Sequence, residues 1–318
     1  MFKIGIIQKI HEEGIKLLEN NKNFDYEIID DVSEENLIKK IHLYDGVTLR
    51  VSKLSNKLLS KASKLKVISR HGVGYDNVDT AFLKQNNITL LITASANAIA
   101  VSEHVFYLML TISKNFLNLD NEVRLGNFKK NMVNFPTFEL HNKEILIAGF
   151  GRIGRSLIKK CKGFDMKVKV YDPFVDKELI ANMGGEKVEF FDTALTSADF
   201  LSIHMPLNEK TKNLIDLQKM KNMKKNSIII NTARGGIVNE IDLNNAINDK
   251  IILAAGLDVF DDEPINLDNP LLKNKNVILS PHTAALTNEC KIRMGRETAQ
   301  NLIDFFEKKI DRKMIVKL

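Results

Sequence analysis

The sequence has little cysteine and no long apolar run, and each absence excludes a class of protein. Cys161 and Cys290 lie far apart in the chain, which does not suit a disulfide framework and agrees with a reducing cytoplasm. No apolar run approaches the roughly 20 residues that span a bilayer. The start, MFKIGIIQKIHEEG, soon turns acidic and lacks a small-residue cleavage site, so we interpret it as a strand. We therefore expect a cytoplasmic protein that does not bind a membrane.

Basic residues are not concentrated in any one part of the sequence. The chain of 318 residues has 46 Lys and Arg against 40 Asp and Glu, a formal net charge of +6. A nucleic-acid binder gathers such charge in one stripe, whereas these lysines are scattered among acids, so we expect no nucleic-acid partner. A modest positive field still favours an anionic substrate and a dinucleotide. The length predicts two domains.

Short β-branched runs alternate with helical patterns along the chain, which predicts two doubly wound parallel sheets of the α/β class. The first series of strands is FKIGII, YEIID, GVTLR, KVISR and ITLLIT, with helices at HEEGIKLLEN, SEENLIKKI, NKLLSKASK and VDTAFLKQN. The second series is EILIAGF, KVKVYD, KVEFF, FLSIHM, SIIINTA, IILAAGLDV and NVILS. Between them we expect a helix at 101–115 buried between domains or at a subunit contact, then an irregular segment at 117–140.

A dinucleotide-binding turn is indicated by GFGRIG between the strand EILIA and a following helix. Gly149, Gly151 and Gly154 permit the turn, the approach of a pyrophosphate and close helix packing. Asp172 ends the next strand, where a carboxylate accepts hydrogen bonds from ribose hydroxyls and repels the 2′-phosphate of NADP. The sequence therefore predicts NAD as the cofactor, the alternative being a glycine-rich turn without one.

Three polar residues follow strands of the second series, where ligands of such sheets bind. Arg234 can hold a carboxylate in a two-point fork. His282 can exchange a proton near neutral pH, and Glu263 can fix the imidazole tautomer. The plain alternatives are a surface arginine, a loop histidine and a turn acid, and Asp261 and Asp262 compete with Glu263. No cluster typical of a metal site is evident, so we expect no metal.

A second glycine-rich turn, RHGVGYDN, closes a strand of the first series. Successive N–H groups at Gly72, Val73 and Gly74 can form a nest for a substrate carboxylate, although a plain strand-to-helix turn fits equally well.

These motifs together resemble the D-isomer-specific 2-hydroxyacid dehydrogenase family, particularly its D-3-phosphoglycerate dehydrogenase branch. The resemblance rests on HGVGYDNVD, GFGRIG with YDP, HMPLNEKTKNLI, INTARGGIVNE, GLDVFDDEP and SPHTAA, in family order. It implies a flavodoxin-like substrate-binding domain at 1–98 and 288–318, with a Rossmann NAD-binding domain inserted at 99–287. It also implies a homodimer formed largely through the NAD-binding domains.

The resemblance implies a role for each residue that matches a family motif. Arg234 would bind the substrate carboxylate and carbonyl, with His282 as acid/base and Glu263 as its partner. Asp258 would meet the nicotinamide carboxamide. The positions that match family contacts to NAD, besides the three glycines, are Val73, Arg152, Ile153, Asp172, Met205, Thr232, Ala233, Arg234, Asp258, His282 and Ala284.

The substrate is left open among small 2-hydroxy and 2-keto acids. Arg50 resembles a family position that binds a phosphate, so 3-phosphoglycerate and 3-phosphohydroxypyruvate, and with them serine biosynthesis, are the first expectation. Hydroxypyruvate or glyoxylate reduction is the alternative, with Arg50 then a surface residue. An NAD-sensing, corepressor-like binding protein is the alternative of another class. One departure from the family is Asn142, which replaces a glycine of the usual ELxGK.

Overall fold

Residues 1–128 and 136–318 are described by a computed structural model, in which the chain divides into two units. Unit 1 comprises Met1–Asn97 and Ala285–Leu318, and unit 2 comprises Ala98–Ala284. The boundaries predicted from the sequence lie a few residues further along the chain. No helix of the described residues is long and apolar enough to cross a membrane.

Unit 1 contains a parallel sheet of five strands in the order β2-β1-β3-β4-β5, which is the flavodoxin-like order. The strands are β1 (Phe2–Ile7), β2 (Phe24–Ile29), β3 (Gly46–Leu49), β4 (Val67–Arg70) and β5 (Thr89–Ile92). The helices between them are α1 (Glu12–Glu19), α2 (Glu34–Lys40), α3 (Asn56–Leu59) and α4 (Thr80–Gln85). Side chains of Ser33, Ser55 and Asp79 cap the starts of α2, α3 and α4.

Unit 2 contains a parallel sheet of seven strands in the order β12-β11-β10-β9-β6-β7-β8, a Rossmann order with one added strand. The strands are β6 (Glu144–Ala148), β7 (Lys167–Tyr171), β8 (Glu186–Lys187), β9 (Phe200–Ile203), β10 (Ile228–Asn231), β11 (Ala254–Leu257) and β12 (Val277–Leu279). The helices are α5 (Ala98–Ser113), α6 (Phe116–Arg124), α7 (Arg152–Gly163), α8 (Lys177–Asn182), α9 (Phe191–Leu195), α10 (Leu217–Lys221) and α11 (Glu240–Asn248). The predicted pair of doubly wound parallel sheets is confirmed.

The central strands of unit 2 are apolar at successive positions because helices cover both faces of the sheet. Ile145 and Ile147 of β6 pack with residues of α5 and α7, whereas Leu146 and Ala148 point to the other face. That other face packs against residues of α9, α10 and α11. The layering leaves the carboxyl ends of the strands as the edge at which polar side chains can gather.

The last helix, α12 (Asn288–Phe306), belongs to unit 1. The Thr298 carbonyl accepts the Ser69 hydroxyl at 2.8 Å, and the Asn301 amide donates to the Ile92 carbonyl at 3.1 Å. These contacts tie α12 to the ends of β4 and β5, so both ends of the chain contribute to one core.

Two predicted elements are shorter than expected. The helix expected over NKLLSKASK ends at Leu59, because the next N–H groups bond three residues back in tight turns. The strand expected over KVEFF is limited to Glu186–Lys187 at the sheet edge, and Phe191 already begins α9.

One of the two expectations for residues 101–140 was wrong. The helix expected at 101–115 is present as α5, whose Val105, Leu108 and Met109 pack with strand and α7 residues of unit 2. The segment expected to be irregular from 117 onward contains α6, which is supported by an ion pair of Asp120 with Arg124 at 2.7 Å. The predicted irregular segment at 117–140 also includes residues 129–135, which lie outside the described residues.

Candidate active site

The predicted site residues of unit 2 all follow carboxyl ends of its parallel strands. After β12 come His282 and Ala284, after β11 come Asp258 and Glu263, and after β10 come Thr232, Ala233 and Arg234. After β9 comes Met205, after β6 come Gly149, Gly151, Arg152, Ile153 and Gly154, and after β7 comes Asp172. The predicted catalytic residues therefore share one half of the sheet edge, and the dinucleotide turn lies in the other half.

Glu263 and His282 form the central contact of this edge. Oε2 of Glu263 lies 2.7 Å from Nδ1 of His282, and Oε1 accepts the Phe260 N–H at 3.1 Å. With Nδ1 facing a carboxylate, the imidazole carries its neutral-state proton on Nδ1 and leaves Nε2 for proton exchange. The His282 side chain is 51% exposed, so a substrate can reach it.

The carboxyl group of Glu263 is kept ionised by its surroundings. Burial by itself raises its pKa, but several opposing contacts together lower the pKa below its ordinary value. These are the hydrogen bond and charge of His282, the Phe260 N–H and the charge of Arg234. Arg234 is therefore near enough for its positive charge to act on the Glu263 carboxylate.

His282 has a left-handed backbone with φ +53°, and Asp258 holds the residues that follow it. The Asp258 carboxylate accepts the N–H groups of Thr283 and Ala284, both at 2.9 Å. Asp258 is 1% exposed, so these charge-assisted bonds are shielded from water. Such a conformation persists when its surroundings hold it, as they do here.

Two residues that the sequence analysis missed, Ser280 and His104, hold Asp258 in place. The Ser280 hydroxyl donates to Asp258 at 2.6 Å and lies 2.8 Å from Nε2 of His104 on α5. Because the single hydroxyl proton is used on Asp258, His104 must donate from Nε2. Burial lowers the pKa of His104, against the opposing effect of Asp258, which favours the neutral ring. A polar residue within an apolar helix was the available signal for His104.

The turn that carries Arg234 is held by Asn231, another residue that sequence reasoning missed. The Asn231 amide donates to the Arg234 carbonyl at 2.8 Å, and its oxygen accepts the Ala233 N–H at 3.0 Å. The Arg234 guanidinium donates to the Ala233 carbonyl at 2.6 Å. Asn231 is 2% exposed at the end of β10, and a buried amide after an isoleucine run was its signal in the sequence.

The dinucleotide turn has the shape that a pyrophosphate requires. Gly149 has φ +100°, and a Cβ there would lie 2.7 Å from the His204 carbonyl. Among the described residues, a Cβ on Gly151 would meet nothing within 4 Å, and no side-chain hydrogen bond caps the start of α7. Asp172 accepts the N–H of Phe150 at 2.8 Å, which fixes the acid against the turn. The chemistry of these residues fits a dinucleotide such as NAD.

Arg50 and the turn at Gly72, Val73 and Gly74 belong to unit 1. Leu49 and Arg70 are partners across β3 and β4, so Arg50 and His71 come next to each other at the strand ends. Burial, with the charges of Arg50 and Arg70, lowers the pKa of His71 to about 4. Arg50 and Arg70 thus bring two positive charges next to an imidazole whose lowered pKa keeps it neutral at neutral pH.

The family departure at Asn142 has a local explanation. Asn142 has φ +59°, a left-handed conformation that asparagine adopts more readily than most residues. It lies within unit 2.

Much of the chain matches a known protein family. Residues 106–284 match the model of the D-isomer specific 2-hydroxyacid dehydrogenase NAD binding domain. The chain belongs to this family. The match covers most of unit 2, including Arg234, Glu263 and His282 of the edge described above. The family's NAD-binding domain is thus the unit that carries the dinucleotide turn.

Relatives of two kinds are similar to this family member. The chain is 35% identical over 303 residues to D-3-phosphoglycerate dehydrogenase of Archaeoglobus fulgidus, covering 95% of this chain and 57% of that protein. It is 36% identical over 324 residues to glyoxylate reductase of Thermococcus litoralis, covering 99% of this chain and 97% of that protein. The chain therefore spans little more than half the length of the phosphoglycerate dehydrogenase and nearly all of the glyoxylate reductase.

A solved structure agrees with the family assignment. D-lactate dehydrogenase of Aquifex aeolicus, complexed with NAD and lactic acid, superimposes with a TM-score of 0.85 at 26% identity. The superposition covers 98% of this chain and 98% of that chain. Both units thus have the family fold.

Proposed function

We propose that this chain is an NAD-dependent dehydrogenase that interconverts a D-2-hydroxy acid and its 2-keto acid. The observation that carries the proposal is the 2.7 Å contact of Glu263 with His282, on the sheet edge that also holds Arg234 and the dinucleotide turn. A carboxylate-bound imidazole is suited to acid/base work, and a guanidinium is suited to hold the carboxylate of a 2-hydroxy acid.

The proposed chemistry divides the work among three side chains. Arg234 binds the substrate carboxylate and polarises the C2 oxygen. In oxidation, Nε2 of His282 takes the hydroxyl proton while the hydrogen on C2 leaves as hydride, and reduction reverses both transfers. Glu263 holds the tautomer and balances the charge that develops on the ring. The bound cofactor supplies the hydride acceptor or donor.

We further propose 3-phosphoglycerate and 3-phosphohydroxypyruvate as the substrate pair, which gives the protein a role in serine biosynthesis. The support is the positive region of Arg50 and Arg70 beside the Gly72–Gly74 turn, which suits a second anionic group. Reduction of glyoxylate or hydroxypyruvate is the second candidate. The near-complete coverage of the Thermococcus glyoxylate reductase favours it.

A steady-state assay of NADH oxidation separates these candidates. The panel is 3-phosphohydroxypyruvate, hydroxypyruvate, glyoxylate, pyruvate and 2-oxoglutarate, with wild type and Arg50→Gln compared. Preference for the phosphorylated acid, lost in Arg50→Gln, supports the first candidate. Preference for an unphosphorylated acid, unchanged in Arg50→Gln, supports the second. NADH binding without turnover of any acid contradicts the proposed dehydrogenase activity and favours an NAD-sensing binding protein.

We also propose a cytoplasmic homodimer formed through unit 2. The support is a group of apolar residues on and after α6, each more than half exposed: Phe116, Leu117, Val123, Leu125 and Phe128. Analytical ultracentrifugation of wild type and of Leu117→Asp with Val123→Asp tests this. A dimeric wild type and a monomeric variant agree with the proposal, and a monomeric wild type contradicts it.

A further inference from the structure

Two loops of the proposed site touch through their backbones. We call residues 232–236 the Arg234 turn and residues 258–264 the Glu263 loop. A Cβ on Gly235 would lie 1.8 Å from the Phe260 carbonyl oxygen, so glycine alone permits this approach. The spacing of Arg234 from Glu263 therefore depends on how closely these two segments are held together.

A side chain of the Glu263 loop fastens it to the Arg234 turn. Oδ1 of Asp261 accepts the Gly236 N–H at 2.6 Å. The N–H of Asp261 in turn donates to Oε1 of Glu240 at 2.7 Å. A carboxylate that accepts a backbone N–H makes one of the stronger hydrogen bonds in proteins.

Glu240 anchors this connection to the body of unit 2. It lies in the first turn of α11, is 8% exposed, and its Oε2 accepts the Asn269 amide at 2.5 Å. Burial raises the pKa of Glu240, with smaller contributions from the Asp261 and Asp262 charges, while its hydrogen bonds oppose the rise. A buried carboxylate that carries such a cost is retained where its hydrogen bonds are needed.

Two of the three neighbouring acids of the loop thus have different partners. Glu263 binds His282, and Asp261 binds Gly236. The sequence left Asp261 and Asp262 as competitors for the histidine. The geometry gives Asp261 a partner of its own on the opposite side of the site.

We propose that Asp261 and Glu240 are positioning residues that fix the distance between Arg234 and the Glu263–His282 pair. Both act through backbone groups of the two loops and do not touch the reacting atoms. The inference rests on the proposed dehydrogenase function. Small losses of alignment at a reacting centre reduce turnover strongly, since a displacement of about 1 Å can cost on the order of 100-fold.

The test compares Asp261→Ala with Asp262→Ala, which removes the same charge from the next position of the loop. We expect Asp261→Ala to lower kcat by about 10- to 100-fold and to raise KM for the keto acid, with the Kd of NADH unchanged. Asp262→Ala should keep wild-type values. Asp261→Asn retains an oxygen acceptor at the same place and should recover most of kcat.

A second readout does not depend on turnover. Hydrogen–deuterium exchange at the Gly236 amide should become faster in Asp261→Ala and in Glu240→Ala, and stay slow in Asp262→Ala and Asp261→Asn. Equal exchange and equal kcat in Asp261→Ala and Asp262→Ala would overturn the inference, as would a failure of Asp261→Asn to recover. A wild type that reduces none of the keto acids instead contradicts the proposed function, and the Gly236 exchange then decides the inference by itself.

Discussion

Glu263 contacts His282 with one carboxylate oxygen and the Phe260 N–H with the other, at 2.7 Å and 3.1 Å. The carboxylate therefore cannot turn away from the ring without losing a second hydrogen bond. Its lowered pKa keeps it charged, which under the proposed mechanism lets it stabilise an imidazolium at Nδ1 while Nε2 exchanges a proton.

Replacing Glu263 by glutamine should reverse the imidazole tautomer. The glutamine oxygen would keep the Phe260 N–H, and its NH₂ group would donate to Nδ1, which moves the neutral-state proton to Nε2. We expect kcat for oxidation to fall by at least about 10²-fold. Stopped-flow NADH formation measures this, with Asp262→Asn as the control in the same loop. An unchanged rate would remove Glu263 from the mechanism.

Replacing Asp172 by asparagine should relax the preference for NAD. The Asp172 side chain accepts the N–H groups of Phe150 and Phe174, at 2.8 Å and 2.9 Å, and asparagine retains one such acceptor without the charge. We expect NAD to bind about tenfold more weakly, which corresponds to about 1.4 kcal/mol, and NADP to bind more tightly. Titration of both cofactors checks this, and an undiminished NAD preference contradicts the assigned role.

Gly235→Ala should destabilise unit 2 and lower activity together. A Cβ at this position overlaps the Phe260 carbonyl, so one of the two loops has to move. We expect the free energy of unfolding to fall by about 1–3 kcal/mol, as for other overpacked sites. Gly163→Ala is the matched control, because a Cβ there meets nothing within 4 Å. Urea unfolding measures both variants, and equal stability in the two would refute the steric account.

The neutral, half-buried His71 should make stability depend on pH. Its pKa is about 4 in the folded protein, below the ordinary 6.5, so between these values the unfolded chain binds a proton that the folded chain does not. Stability is therefore lost as pH falls from 6.5 to 4, by up to about 1.4 kcal/mol per unit. The fully buried His204, whose pKa burial lowers to about 3, adds a similar slope.

The difference between variants isolates the contribution of His71. His71→Gln should unfold with a shallower dependence on pH between 6.5 and 4 than wild type. Parallel slopes in the two proteins would show that folding does not lower the pKa of His71.

Much of the fold was predictable because its signals are local. The strands of unit 2 are short apolar runs, and the helices between them predict that the strands run parallel. Helix α6 was missed because it buries none of its residues, so its mixed apolar and polar sequence did not match the pattern of a packed helix. The assignment of α12 to unit 1 depends on contacts with β4 and β5, which no local pattern records.

The residues of the proposed site were predictable where they follow a strand. They were less predictable where the backbone conformation of a loop determines which side chain reaches which partner. Arg234 and His282 come directly after strands, and position alone pointed to them. The choice of Glu263 over Asp261 and Asp262 depends on a loop that turns Asp261 toward Gly236 instead. Asn231 and His104 support their neighbours across turns and helices, so their partners were not visible in the sequence.

The most direct test of the account is the turnover of His282→Asn, because asparagine tolerates the left-handed backbone of this position. We expect keto-acid reduction to fall by roughly 10²–10⁴-fold, while the Kd of NADH stays close to wild type. That combination assigns His282 to proton transfer rather than to folding or cofactor binding. Full turnover with the same substrate and cofactor would contradict the central claim.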